Sequence, residues 1–243
     1  MILAQKVRLK PTKEQEMQLK KSVGTARYLT VGIEQEEIEE ELTDISLGID
    51  LGVQNLAICS DGKVYKNINK TKTVRKIEKR LKRLQRKVSN KYEMNKNKEK
   101  GEFVKTKNII KLEKKIQHTH RRLNNIRNNY LHQTTTSIVK TKPYRIVVED
   151  LNVQAMMKNK HLADSIRKQC FYEFERQLEY KCKIRGIEFV KADRFYPSSK
   201  TCSHCGKIKK DLKLSDRIYR CDCGFVMDRD LNASINLSKY KLA

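Results

Sequence analysis

The stretch Ile45-Ser46-Leu47-Gly48-Ile49-Asp50-Leu51-Gly52 decides the fold. Its apolar residues alternate with small or polar ones and it closes on glycine, which predicts a strand with a single acid, Asp50, embedded in it. Asn55-Leu-Ala-Ile-Cys-Ser reads as the neighbouring strand, and Asp61-Gly62 is a tight-turn signal leading into Lys63-Val-Tyr. These three segments predict a β-meander. Further along, Tyr144-Arg-Ile-Val-Val-Glu-Asp is an apolar, β-branched run of the kind a buried strand needs, and it ends on Glu149 and Asp150. From Ala163 to Arg185, Ile166, Cys170, Phe174, Leu178 and Cys182 recur every four residues up to Gly186, predicting one helix before a further strand, Ile187-Glu-Phe-Val. Asp230 to Tyr240 predicts a short terminal helix whose apolar positions are Leu231, Ile235 and Leu237. Three strands, an α insert, a strand, a helix and a strand make an α/β protein built on a mixed sheet.

The α insert is marked by charge. Lys and Arg number 54 against 29 acids, a net charge of +25, an excess suited to a polyanion such as nucleic acid. Residues 63–127 hold 24 Lys and Arg against five Glu, whereas 28–62 hold neither Lys nor Arg and crowd Glu34, Glu36, Glu37, Glu39, Glu40, Glu41 and Asp44 together. Within the basic segment Ile77, Leu81, Leu84 and Val88 recur at helical spacing, as do Ile109, Leu112, Ile116, Leu123, Ile126 and Tyr130. Two basic amphipathic helices in an antiparallel hairpin are expected, with the polar, aperiodic Asn90 to Thr106 as a mobile tip. No apolar run approaches membrane-spanning length and the N-terminus lacks a secretion-signal pattern, so a cytoplasmic location and no membrane partner are expected.

Two constellations carry chemistry. Asp50, Glu149 and Asp230 come from distant parts of the chain to positions where one mixed sheet can gather them. Such a carboxylate cluster is what two divalent cations about 3.5–4 Å apart require when a phosphodiester is hydrolysed. Asp150, next to Glu149, should point to the opposite face and is the weaker candidate. The second constellation is Cys202 and Cys205, in Thr-Cys-Ser-His-Cys-Gly, followed by Cys221 and Cys223, in Arg-Cys-Asp-Cys-Gly. Two such knuckles can place four thiolates tetrahedrally around one structural zinc ion, with His204 facing solvent. Cys59, Cys170 and Cys182 are scattered in apolar stretches and are expected as reduced core residues.

Gly48-Ile-Asp-Leu-Gly-Val-Gln-Asn-Leu-Ala, Ile146-Val-Val-Glu-Asp-Leu-Asn-Val, Phe195-Tyr-Pro-Ser-Ser-Lys-Thr-Cys-Ser-His-Cys-Gly and Asp228-Arg-Asp-Leu-Asn-Ala-Ser-Ile-Asn-Leu together resemble the successive motifs of the TnpB (OrfB) family. The resemblance runs in order from about Ile45 to the end of the chain. It implies an RNase H-like (RuvC-like) nuclease core at 45–195 and 228–243, interrupted by a basic hairpin at 63–132 and a zinc ribbon at 196–227. It further implies an RNA-guided, magnesium-dependent DNA endonuclease of transposon origin, with DNA and a guide RNA as partners and Asp50, Glu149 and Asp230 as the catalytic, magnesium-binding carboxylates. Met1-Ile-Leu-Ala-Gln-Lys resembles the family's opening, and residues 1–44 then stand where the family has a long recognition and wedge region. An internal deletion joined by the acidic stretch is expected there, which would impair programmed cleavage. The alternative is a catalytically silent nucleic-acid-binding remnant or regulator.

Overall fold

The computed structural model describes residues 2–8, 12, 14–15, 28–34, 41–96, 105–213 and 216–241. At its centre is a five-stranded mixed sheet in the order β5-β4-β3-β6-β7. The meander β3 (Thr43–Leu51), β4 (Asn55–Cys59) and β5 (Val64–Lys66) is antiparallel, and β6 (Pro143–Glu149) and β7 (Glu188–Ala192) extend β3 in parallel. The tight turn at Asp61-Gly62 forms as expected: Gly62 sits at φ 84° and Asp61 accepts from the Lys63 N–H at 3.0 Å. Separately, β1 (Ile2–Arg8) pairs antiparallel with β2 (Tyr28–Glu34). The rest of the acidic join, 35–40, lies outside the described residues, as do 97–104 within the expected hairpin tip.

The hairpin is made of α1 (Lys72–Met94) and α2 (Lys107–Val139), capped by Thr71 and Thr106, whose hydroxyls accept from the Val74 and Ile109 N–H groups. Val74, Ile77 and Leu81 meet Leu123, with Ile116 and Ile126 beside them, which is the apolar stripe expected from the spacing. The structure differs in how far the second helix runs. It continues without a break past residue 132 to Val139, and its Leu131, Ile138 and Val139 join the main core over the sheet. The basic arm is thus the free end of a helix rooted in the fold.

Between β6 and β7 the single helix expected over Ala163 to Arg185 is two, α4 (Ala163–Gln169) and α5 (Phe171–Ile184), and a short α3 (Val153–Met157) precedes them. The break is at Cys170, which adopts left-handed φ 56°, ψ 45°. Contacts of the two residues before it fix it there. Gln169 Nε2 donates to the Gly52 carbonyl at 2.9 Å, and Asn69 Nδ2 donates to the Lys168 carbonyl at 3.0 Å. Ending α4 frees α5 to lay Phe171, Phe174, Leu178 and Cys182 on the sheet. Cys59 and Cys182 are buried as expected, whereas Cys170, at the break, is only half-buried.

The strand alternation separates two faces. Leu47, Ile49, Leu51, Ile146 and Val148 point into the core under α2 and α5, while Val147, Val190 and Ala192 point the other way, toward Leu237 of α6 (Arg229–Ser238). Gly48 shares this second face, and only glycine fits: a Cβ there would lie 2.0 Å from the Ser234 carbonyl oxygen and 2.4 Å from the Ser238 nitrogen. The helix therefore rests directly on the backbone of β3.

Candidate functional site

Two residues along the same face from Gly48 is Asp50, and two residues from Val147 is Glu149. Gly48 pairs with Val147 and Ile49 with Val148, so the parallel register carried one step further sets Asp50 beside Glu149 on the α6 face. The third acid comes from that helix. Asp228 is its N-cap, accepting from the Asp230 and Leu231 N–H groups at 3.0 and 3.1 Å, and this turn fixes Asp230 in the first helical turn. Of the two acids in Asp-Arg-Asp, the first is thus consumed in capping and the second is released toward the sheet.

The electrostatics tie the three together. Burial pushes the Asp50 carboxyl well above the usual carboxylate range, and repulsion from Asp230 and then Glu149 pushes it further, with Arg229 working in the opposite sense. Glu149 is likewise raised, first by burial, against the pull of Arg229 and with added repulsion from Asp150. Asp150 itself is turned away to an ion pair with Arg194 at 2.6 Å. Two arginines missed in the sequence stand at the cluster. Arg229 Nε lies 4.0 Å and Arg217 Nη1 3.8 Å from the Asp230 carboxylate. The signal for Arg229 was its place between the two acids of Asp-Arg-Asp; Arg217, on the far side of the ribbon, had none.

The four cysteines form the second site. Their sulfurs all lie within 4.8 Å of one another, with Cys202 to Cys223 at 3.8 Å and Cys205 to Cys221 at 3.6 Å. A tetrahedral ion with sulfur ligands at about 2.3 Å needs sulfurs about 3.8 Å apart, so the cage could hold a metal such as zinc. Among the described residues it is the only acid, thiol or imidazole group this tightly closed; the three carboxylates are more widely set. Burial raises the Cys202 thiol, but the Cys205 and His204 backbone N–H groups and the neighbouring sulfurs outweigh it and bring it down to about 7. His204 stays exposed, stacked on Phe225 at 5.8 Å between ring centroids.

The ribbon's strands, β8 (Ile218–Arg220) and β9 (Val226–Asp228), run straight into α6. The reason Asn-Ala-Ser-Ile-Asn follows becomes clear from the contacts. Asn232 and Asn236 lie one turn apart on a buried face; Asn232 donates to the Thr201 carbonyl at 2.7 Å and accepts from the Ser203 N–H at 3.0 Å, while Asn236 donates to the Ser198 and Thr201 carbonyls, both at 2.7 Å. The Arg229 guanidinium adds bonds to the Lys213 and Asp216 carbonyls at 3.2 and 3.3 Å. One helix thus carries Asp230 and clamps the cysteine module.

Comparison with known proteins places the chain in a family. The family described as "Probable transposase" (OrfB_IS605) matches residues 30–160, its "Helix-turn-helix domain" matches 1–29, and the "Cas12f1-like, TNB domain" matches 171–237. A protein of Streptomyces pristinaespiralis named "Putative RNA-guided DNA endonuclease" is 36% identical over 201 residues, covering 83% of this chain and 46% of that protein. InsQ of Escherichia coli K12, named in the same way, is 33% identical, covering 79% of this chain and 48% of its own length. The chain spans about half the length of these curated relatives. In fold it is similar to a protein solved in a Cas12f1-sgRNA-target DNA complex, with TM-score 0.54, 22% identity and coverage of 88% of this chain and 54% of that one. No helix among the described residues is long and apolar enough to cross a membrane.

Proposed function

The chain belongs to the OrfB_IS605 family of probable transposases, and from that premise we propose that it is a divalent-metal-dependent DNA endonuclease with an RNase H-like core. One observation carries the proposal: Asp50 and Glu149 directly follow the paired Ile49 and Val148 on neighbouring parallel strands, and Asp230 is brought to them by a helix that only Gly48 lets approach. Buried like charges of this kind are costly without a counter-ion, and an all-oxygen donor set suits magnesium. Two such ions would supply an activated water and offset charge on the attacked phosphate and the leaving oxygen.

In this scheme Asp50 holds the centre of the site, Glu149 and Asp230 flank it, and Arg229 restrains their mutual repulsion. The ribbon, holding zinc through Cys202, Cys205, Cys221 and Cys223, fixes the start of α6 and so the position of Asp230. The exposed basic faces of α1 and α2 take the phosphate backbone of the DNA, and a guide RNA is the second polyanion to which relatives named RNA-guided DNA endonucleases point. A second role, holding nucleic acid without cutting it, is favoured by the exposed basic faces of α1 and α2, which can bind phosphates without the carboxylates.

Cleavage of single-stranded DNA with magnesium, comparing the native chain with Asp50→Ala, separates the two. Cutting by the native protein alone is expected; equal products from both would remove the catalytic role, and binding without cutting would leave the second.

A further inference from the structure

Phe195 is the most exposed of the large apolar side chains in the described structure, at 87%, yet its loop is held on every side. The loop leaves the end of β7, where Ala192 pairs with Glu149. Adjacent strands lie about 4.8 Å apart and the chain advances at most about 3.5 Å per residue, so the Phe195 backbone is within about 15 Å of that of Glu149. This is the carboxyl end of the parallel strands, the edge at which open α/β sheets bind their ligands.

The loop's bonds leave the ring little freedom to fold inward. Asp193 accepts from the Phe195 N–H at 2.7 Å through its side chain, and from the Tyr196 N–H at 2.9 Å through its carbonyl. Its own N–H donates to the Tyr240 hydroxyl at 3.2 Å. Arg194 is spent on Asp150, which also neutralises an acid that would repel phosphate on this rim. Tyr196 turns inward, edge-on to Tyr240 at 5.0 Å, and donates to the Asn236 carbonyl at 3.1 Å. Of two adjacent aromatics, one is half-buried against the core and the other is presented to solvent by a fixed turn.

We propose that Phe195 is a stacking platform for a base of the single strand that enters the carboxylate site. This rests on the nucleic-acid reading above, and it adds a positioning residue to it. A flat apolar ring accepts any base on its face, so it would hold the strand next to the site without reading its sequence. Arg217 and Arg229, beside Asp230, supply charge but no such surface.

The chain contains no Trp, so Phe195→Trp introduces a single indole reporter at this position. Without magnesium, a short oligothymidylate should quench its emission, whereas an abasic oligomer of equal length should bind without quenching. Phe195→Ala should weaken oligothymidylate binding about tenfold and leave abasic binding unchanged, as expected for the loss of one stacked base. Unchanged emission with oligothymidylate bound, as followed by anisotropy of a labelled strand, would overturn the proposal. So would equal losses on both oligomers, or no binding by the native chain. Because no cleavage is read, a failure of the Asp50 test leaves this outcome separate.

Discussion

At the residue scale, the role proposed for Asp50 is in tension with stability. Its folded-state carboxyl sits above the ordinary value, for reasons of burial and the Asp230 and Glu149 charges, so the folded chain holds that proton more tightly than the unfolded one. The resulting stability is fully present below the ordinary Asp value of about 4 and is lost as pH rises through the folded value. Asp50→Asn carries no such proton. Melting temperatures of the metal-free proteins across that range should therefore diverge, with the native chain falling relative to Asp50→Asn as pH rises, and magnesium should narrow the gap. Asp50, Glu149 and Asp230 could all be named from sequence because an acid in or at the end of an apolar strand, or at a helix start, is locally anomalous. Arg217 could not, since its nearness to Asp230 at 3.8 Å exists only once the ribbon has folded back.

At the element scale, the contact between β3 and α6 positions the site. Gly48→Ala puts a methyl group 2.0 Å from the Ser234 oxygen, and backbone on both sides cannot yield as a flexible side chain would. A loss of about 1–3 kcal/mol in chemical denaturation is expected, with cleavage lost beyond that because Asp230 is displaced. Asn232→Ala tests the other side of the helix. It strands the Ser203 N–H and leaves the Thr201 carbonyl to Asn236 alone, at a cost of about 1–3 kcal/mol, and should loosen the cysteine module from α6. The strands of the five-stranded sheet and both hairpin helices were legible because periodicity and turn residues agree in each. The break at Cys170 was not: its four-residue repeat continues unbroken, and what ends α4 is the pull of Gln169 on Gly52 and of Asn69 on Lys168, both from segments distant in sequence.

At the scale of the whole molecule, two additions to the sheet answer to different reagents. A chelator strong enough to strip the thiolate cage should abolish hydrogen-exchange protection in β8 and β9, which bury little besides Tyr219, and leave β3 and β6 protected by their own core. Salt should act on the arm. Lys72, Lys76, Lys79, Arg83 and Arg86 are exposed and spaced four, three, four and three apart, a stripe along α1 on the side away from Val74, Ile77 and Leu81. If that stripe contacts successive phosphates, affinity for DNA should fall by about 10³–10⁵ between 50 and 200 mM salt. Substituting Lys79 or Arg83 by Ala should weaken binding uniformly across sequences and lower the salt slope by about one each. Neither position touches the carboxylates, and the helix keeps its apolar seam, so the rate of cutting at saturating DNA should stay unchanged. A slope that ignores both substitutions would place the phosphate track elsewhere and leave the arm a solvated helix pair.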